Sequence, residues 1–185
     1  MDHLGTDLLS EEERRLLSGF AFLTAKPIIV VANTGEHSAE LDGLSRAVEG
    51  AGIPLFPLRG DMEVEIARLD AADQGAFLAE IGVAEPARTR FLKAIYAALD
   101  LMSFLTVGED EVRAWSIPRG TTASRAAGRI HTDLEKGFIR AEVVHWSDLM
   151  QSGGLKEAKA AGKLRLEGKE YVVKDGDVLT IRYNV

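Results

Sequence analysis

The sequence predicts an α+β fold: a partial parallel α/β unit, then a helical pair, then a small sheet wrapped around one helix. Three observations carry that prediction. Two short apolar runs, residues 27–33 (PIIVVAN) and 53–58 (IPLFPL), flank a helical pattern and so form a βαβ unit. Residues 73–102 keep helical spacing throughout. Beyond residue 102 the texture changes to short strands separated by turn signals, with one main helix among them.

Taken in order, Ser10 and Glu13 have the spacing of a capping box at a helix start. Leu16, Leu17 and Phe20 then share a face, and Lys26-Pro27 closes the segment. Residues 27–33 lack polar alternation, the mark of a strand covered on both faces. Residues 38–52 follow as a helix striped by Leu41, Leu44 and Val48 and ended by Gly50 and Gly52. After the second strand, residues 61–69 form a short helix. Two parallel strands cannot bury both faces alone, so further sheet or another chain is expected to cover them. The edge left open is expected to favour self-association.

The helical segment, residues 73–101, divides near residues 82–88, with Phe77, Leu78 and Ile81 lining the first helix and Phe91, Leu92, Ile95, Tyr96 and Leu99 the second. The last part, residues 102–185, has strands at 102–108, 111–118, 138–146, 163–167, 171–173 and 178–185, a main helix at 122–131, and helical pieces at 147–151 and 155–162. Lys174–Asp177 (KDGD) reads as a hairpin turn with positive φ at both central positions. About five short strands around one helix make a ubiquitin-like β-grasp.

Composition bounds the chemistry. The 185 residues carry a net charge of −7 and no cysteine, which excludes disulfides, thiol catalysis and Cys-ligated zinc. Residues 103–185 hold 13 Lys and Arg against 12 Asp and Glu, leaving 9 against 17 for residues 1–102. Bulk binding to nucleic acid does not follow from that balance, but a local basic face in the back half is open. No apolar run approaches the roughly 20 residues of a membrane span. An acidic N-terminus unlike a signal peptide fits a cytoplasmic address.

Three segments, LTAKPIIVVANTGE (23–36), EVRAWSIPRGTTASRAAGRIHTDLEKGFIRAEVVHWSDL (111–149) and AKAAGKLRLEGKEYVVKDGDVLTIRYNV (158–185), resemble the Obg-like ATPases of the YchF type. The resemblance implies the C-terminal portion of such a protein: residues 1–72 the end of a P-loop-type G domain, 73–101 a helical segment, and 102–185 a TGS domain. It implies ATP and Mg²⁺ as cofactors of the full-length family and a ribosome or RNA partner for the TGS domain. The family's phosphate-cradling G-x-x-x-x-G-K-[ST] is absent, since Gly162-Lys163 and Gly168-Lys169 are followed by Leu164 and Glu170. The chain alone is therefore expected to be inactive and to bind no cofactor tightly. The alternative is a free-standing TGS binding module without nucleotide activity.

The resemblance places Asn33 and Glu36 at the base of the nucleotide, Asn33 on the adenine edge and Glu36 where GTP-binding relatives have the guanine-reading aspartate. At Arg59-Gly60 the family has a small residue and alanine, so Arg59 either stacks on the base or blocks its pocket. Arg113, Arg125, Arg129, His131, Lys136 and Arg140 are the candidate partner contacts; Arg125 and Arg129, four apart, share a helix face. His131 stands among acids as a general base would, yet no nucleophile or second histidine lies at a usable spacing. It is read as shaping the turn before residue 138 or touching a partner. Trp115 and Trp146 are read as core or rim positions, and no catalytic or metal residues are assigned.

Overall fold

The computed structural model describes residues 9–35, 41–108 and 111–184. Its backbone divides into two units, Met1–Leu99 and Asp100–Val185.

In the first unit, helix α1 (Glu11–Ser18) starts from Ser10, whose side chain accepts from the Glu13 N–H while the Glu13 carboxylate accepts from the Ser10 N–H. The helix ends at Gly19, short of the Lys26-Pro27 stop expected from the sequence, and Phe20 lies outside it. A 3₁₀ turn at Leu23–Ala25 follows. Strand β1 (Val30–Asn33) runs parallel to β2 (Leu55–Leu58), in register from Val30↔Leu55 to Asn33↔Leu58. Helix α2 (Leu41–Gly50) is the crossover between them. Helices α3 (Gly60–Arg68), α4 (Ala71–Glu80) and α5 (Ala87–Ala98) complete the unit. Phe56, Ile66, Leu78 and Val48 are buried, and the Phe56 and Phe91 rings meet at 5.1 Å.

Strand β1 is not covered on both faces as its composition suggests. Ala32 is buried, but Val31 is 45% exposed. The physical reason is visible in the pairing: β1 and β2 form a two-stranded sheet among the described residues, and two strands cannot cover themselves.

The second unit holds β3 (Leu101–Val107), β4 (Val112–Pro118), α6 (Ala123–Ile130), α7 (Thr132–Lys136), β5 (Phe138–His145), α8 (Trp146–Ser152), α9 (Leu155–Ala160), β6 (Arg165–Glu167) and β7 (Asp177–Tyr183). The strands form one sheet in the order β4-β3-β7-β5-β6, with β3 and β7 parallel and the other pairs antiparallel. Small residues on one side of α6, Ala123 and Ala126, let the helix backbone approach the sheet. They pack against Phe104, Ile117, Ala141, Val143 and Leu179, all 2% exposed or less. Helices α8 and α9 contribute Leu149, Leu155 and Ala158 to a separate cluster with Val144 and Val178.

Two local expectations change here. Residues 171–173 do not form a ladder strand; Val172 makes one isolated bridge to Thr122, at the head of α6. Lys174–Asp177 is consequently a turn leading into β7 rather than a hairpin between paired strands. The Asp177 N–H closes it onto the Lys174 carbonyl at 3.1 Å, and of its central residues only Gly176 has positive φ (+79°). The turn is held from outside, because the Ser103 N–H donates to the Asp175 carboxylate at 2.8 Å and the Gly176 N–H to the Ser103 carbonyl at 2.8 Å.

Candidate functional site

At the C-terminal end of β1, Asn33 reaches across to the first turn of α3. Its Oδ1 accepts from the Gly60 N–H at 3.0 Å, satisfying one of the donors that a helix start leaves open. Gly60 is required for this approach: a Cβ there would lie 2.8 Å from Asn33 Oδ1. With its oxygen fixed, the Asn33 amide NH₂ is oriented as a donor. Next to it, the Thr34 N–H and hydroxyl both donate to the Leu58 carbonyl, at 2.9 and 3.2 Å. Glu36, the second candidate base contact, lies outside the described residues.

Arg59, the residue before Gly60, is turned onto Asp61 at 3.3 Å. The Asp61 carboxyl is held below its usual range, chiefly by the Met62 N–H at the start of α3 and secondarily by Arg59. Arg59 and Arg90 line one cavity of about 150 Å³ with Thr34, Leu58 and Glu63. The Arg90 guanidinium is further placed by Glu63, at 3.8 Å, and by the Phe56 ring, 5.4 Å from its centroid. Sequence reading missed this pair, because Glu63 and Arg90 sit on different helices and share no local pattern. Asn33 offers an oriented donor at a strand end, where open α/β sheets bind ligands. Among the described residues no group of three or more His, Asp or Glu side chains is placed to hold a metal ion.

The six partner-contact candidates do not form one patch. Arg125 and Arg129 are exposed on α6 and border a cleft of about 510 Å³ between that helix and the end of β4, with Pro118, Thr121 and Gly128. His131 is the N-cap of α7, its Nδ1 accepting from the Asp133 N–H at 3.2 Å, and Lys136 is in the last turn of that helix. Arg113 lies over the Trp115 ring, 4.3 Å from its centroid, and the Trp115 indole N–H donates to Thr106 Oγ1 at 3.0 Å. Arg140 falls on the far side of the sheet from α6. Its neighbour Ala141 is fully buried against that helix, and strand alternation turns Arg140 the other way. There it meets Arg182, directly opposite on β7, a residue that spacing along the chain could not have grouped with it.

The buried polar centre of the second unit is Asp177, 1% exposed. It accepts from the Tyr171 hydroxyl and the Lys174 N–H, both at 2.8 Å, and Arg165 approaches at 3.9 Å. Burial, and then the hydrogen bond to Asp177, push the Tyr171 hydroxyl up to about 12. These groups lock the loop before β7.

No helix among the described residues is long and apolar enough to cross a membrane. The YchF-GTPase_C family, described as "Protein of unknown function (DUF933)", matches residues 101–184. The ribosome-binding ATPase YchF of Pasteurella multocida is 45% identical over 181 residues, which are 96% of this chain and 50% of that protein. The protein of the same name from Bacillus subtilis is 43% identical over 183 residues, 95% of this chain and 50% of its own length. The solved YchF GTPase of Schizosaccharomyces pombe superimposes with a TM-score of 0.79 at 31% identity, covering 94% of this chain and 48% of that one. The chain thus spans about half the length of the curated relatives it matches. On these matches, which run through both units, the chain belongs to the YchF family.

Proposed function

We propose that the chain supplies the base-recognition edge and the ribosome-docking domain of a YchF-type ATPase. The first unit is the closing part of a P-loop-type G domain with its helical segment, and the second is a TGS domain of the β-grasp kind. The strand order β4-β3-β7-β5-β6, with the parallel pair central and one main helix across a face, supports the second assignment. Relatives named as ribosome-binding ATPases support the docking role.

The observation that carries the docking reading is the α6 cleft. Arg125 and Arg129 stand one turn apart and exposed beside it, and two such guanidiniums suit phosphates of an RNA backbone. His131 and Lys136 extend this surface at α7, and Arg113 flanks it on β4. Asn33 and Glu36 address the adenine edge of ATP in the complete site. The phosphates and Mg²⁺ require a P-loop, which this sequence does not contain, so this chain alone does not hydrolyse ATP.

Co-sedimentation with ribosomes in low salt tests the docking role. The wild-type chain should pellet with ribosomes, and Arg125→Glu with Arg129→Glu should weaken that about tenfold or more, with a matching loss of salt dependence. Unchanged pelleting of the double variant refutes the α6 surface. Calorimetry with ATP tests the nucleotide half; micromolar binding by this chain contradicts the claim that its base-contacting residues are insufficient alone.

A further inference from the structure

On the sheet face turned away from α6, Arg140 and Arg182 occupy directly opposed positions on β5 and β7. Like charges so placed repel, and a sheet built only for stability has no use for the pair. One of the two is neutralised: Arg182 donates to both oxygens of Glu142, at 3.2 and 3.4 Å. Among the described residues no carboxylate pairs with Arg140. Both arginines line a shallow hollow of about 320 Å³ with Ile139, Glu142 and Leu166. Ile139 is 54% and Leu166 60% exposed, so the hollow joins one uncompensated guanidinium to two bare aliphatic side chains.

Among the described residues the adjoining strand β6 is the last in the sheet, so its outer edge offers backbone groups for pairing. An extended segment laid there presents alternate side chains to this face. We propose that this surface binds an extended protein segment in which every second side chain is in turn aliphatic, acidic and aliphatic, so that all three fall on one face, the acid on Arg140 and the aliphatic groups on Leu166 and Ile139. The Glu142–Arg182 pair already displays the geometry, a carboxylate held by one guanidinium on this same face. RNA is the less favoured occupant. A single net cation matches about one phosphate, whereas backbone binding draws on several. No aromatic ring lines the hollow to stack an unpaired base. The proposal goes beyond the α6 surface and does not depend on it.

The test is amide chemical-shift mapping by NMR on the whole chain. The probes are the peptide acetyl-Ser-Val-Ser-Glu-Ser-Val-Ser-amide, whose two valines and glutamate share one face when extended, the same peptide with glutamine for glutamate, and a short RNA duplex. The glutamate peptide should shift the amides of residues 139–142, 165–168 and 182, with a Kd on the order of 1 mM. The glutamine peptide should bind about fivefold more weakly, as should Arg140→Ala. Arg140 is exposed, so that variant should keep the wild-type spectrum elsewhere, and Arg140→Glu gives a second, stronger reversal. Absence of shifts at several millimolar peptide overturns the proposal. So do shifts that persist in both Arg140 variants, or the same residues moving with the RNA duplex and not with the peptide. A failed ribosome pelleting with intact peptide binding would count against the α6 reading alone.

Discussion

In the first unit a pair of parallel strands leaves Val31 45% exposed, with Leu16, Phe20 and Leu23 at 70% or more, whereas the second unit holds Phe104, Ala141 and Val143 at 0% under α6. The same chain thus contains an interior that is complete and one that is not. Five strands give the second unit enough sheet for a helix to cover one face and two shorter helices part of the other. Two strands give the first unit a single layer, in which α3 and α5 bury Phe56 and Ile66 on one side of an apolar hollow of about 600 Å³. Apolar surface of this kind is normally covered by something else. The self-association that the sequence leads one to expect through an open strand edge would act on this unit.

The largest expected effect separates the two interiors. Phe104→Ala removes a wholly enclosed ring and should cost about 3–5 kcal/mol, enough to unfold the second unit in a urea titration. Phe56→Ala removes a ring beside an open hollow, where water replaces it, and should cost about 2 kcal/mol. Equal losses would mean that the first unit is as well packed as the second.

A smaller effect concerns the buried polar centre at Asp177 in the second unit. Because the folded state raises Tyr171 to about 12 from an ordinary 10.0, its contribution to stability is fully present below pH 10 and is lost as pH rises from about 10 to 12. Ultraviolet titration should show one of the three tyrosines ionising last. Asp177→Asn should bring that tyrosine down toward the ordinary value and lower stability by about 1–3 kcal/mol. A late-ionising tyrosine that persists in Asp177→Asn would assign the shift to burial alone.

How much of this was legible in the sequence follows the same division. Elements with a local period were readable: the capping box at Ser10, the parallel pair flanking α2, the helical pair, and α6 with its adjoining strand. Misread elements were those decided by distant partners. Residues 171–173 have strand composition, but their neighbour is the head of α6 rather than β7, so only a bridge forms. The KDGD turn has hairpin chemistry, but Asp175 is claimed by Ser103, 72 residues away. At the candidate sites, sequence could nominate Asn33 but not its tether to Gly60, 27 residues on. It grouped Arg140 with Arg125 and Arg129 because they are near in sequence, while strand alternation sends Arg140 to the opposite face and pairs it with Arg182. The family resemblance had no means of supplying those pairings either, since it conveys roles by motif and not by contact.

The smallest effect lies at the exposed start of the first unit. Glu13 is held below the usual carboxylate range, first by the Ser10 N–H and then by the Ser10 hydroxyl. A lowered carboxylate contributes stability above its ordinary pKa and loses it as pH falls through the folded value. Acidification from neutrality to about pH 3 should therefore loosen α1. Ser10→Ala removes the side-chain half of the box at any pH and should speed exchange of the α1 amides roughly fivefold, leaving those of β3 and β5 unchanged. If the β3 and β5 amides accelerate together with α1, the two units unfold as one cooperative body, and the contrast between a complete and an incomplete interior does not extend to their stabilities.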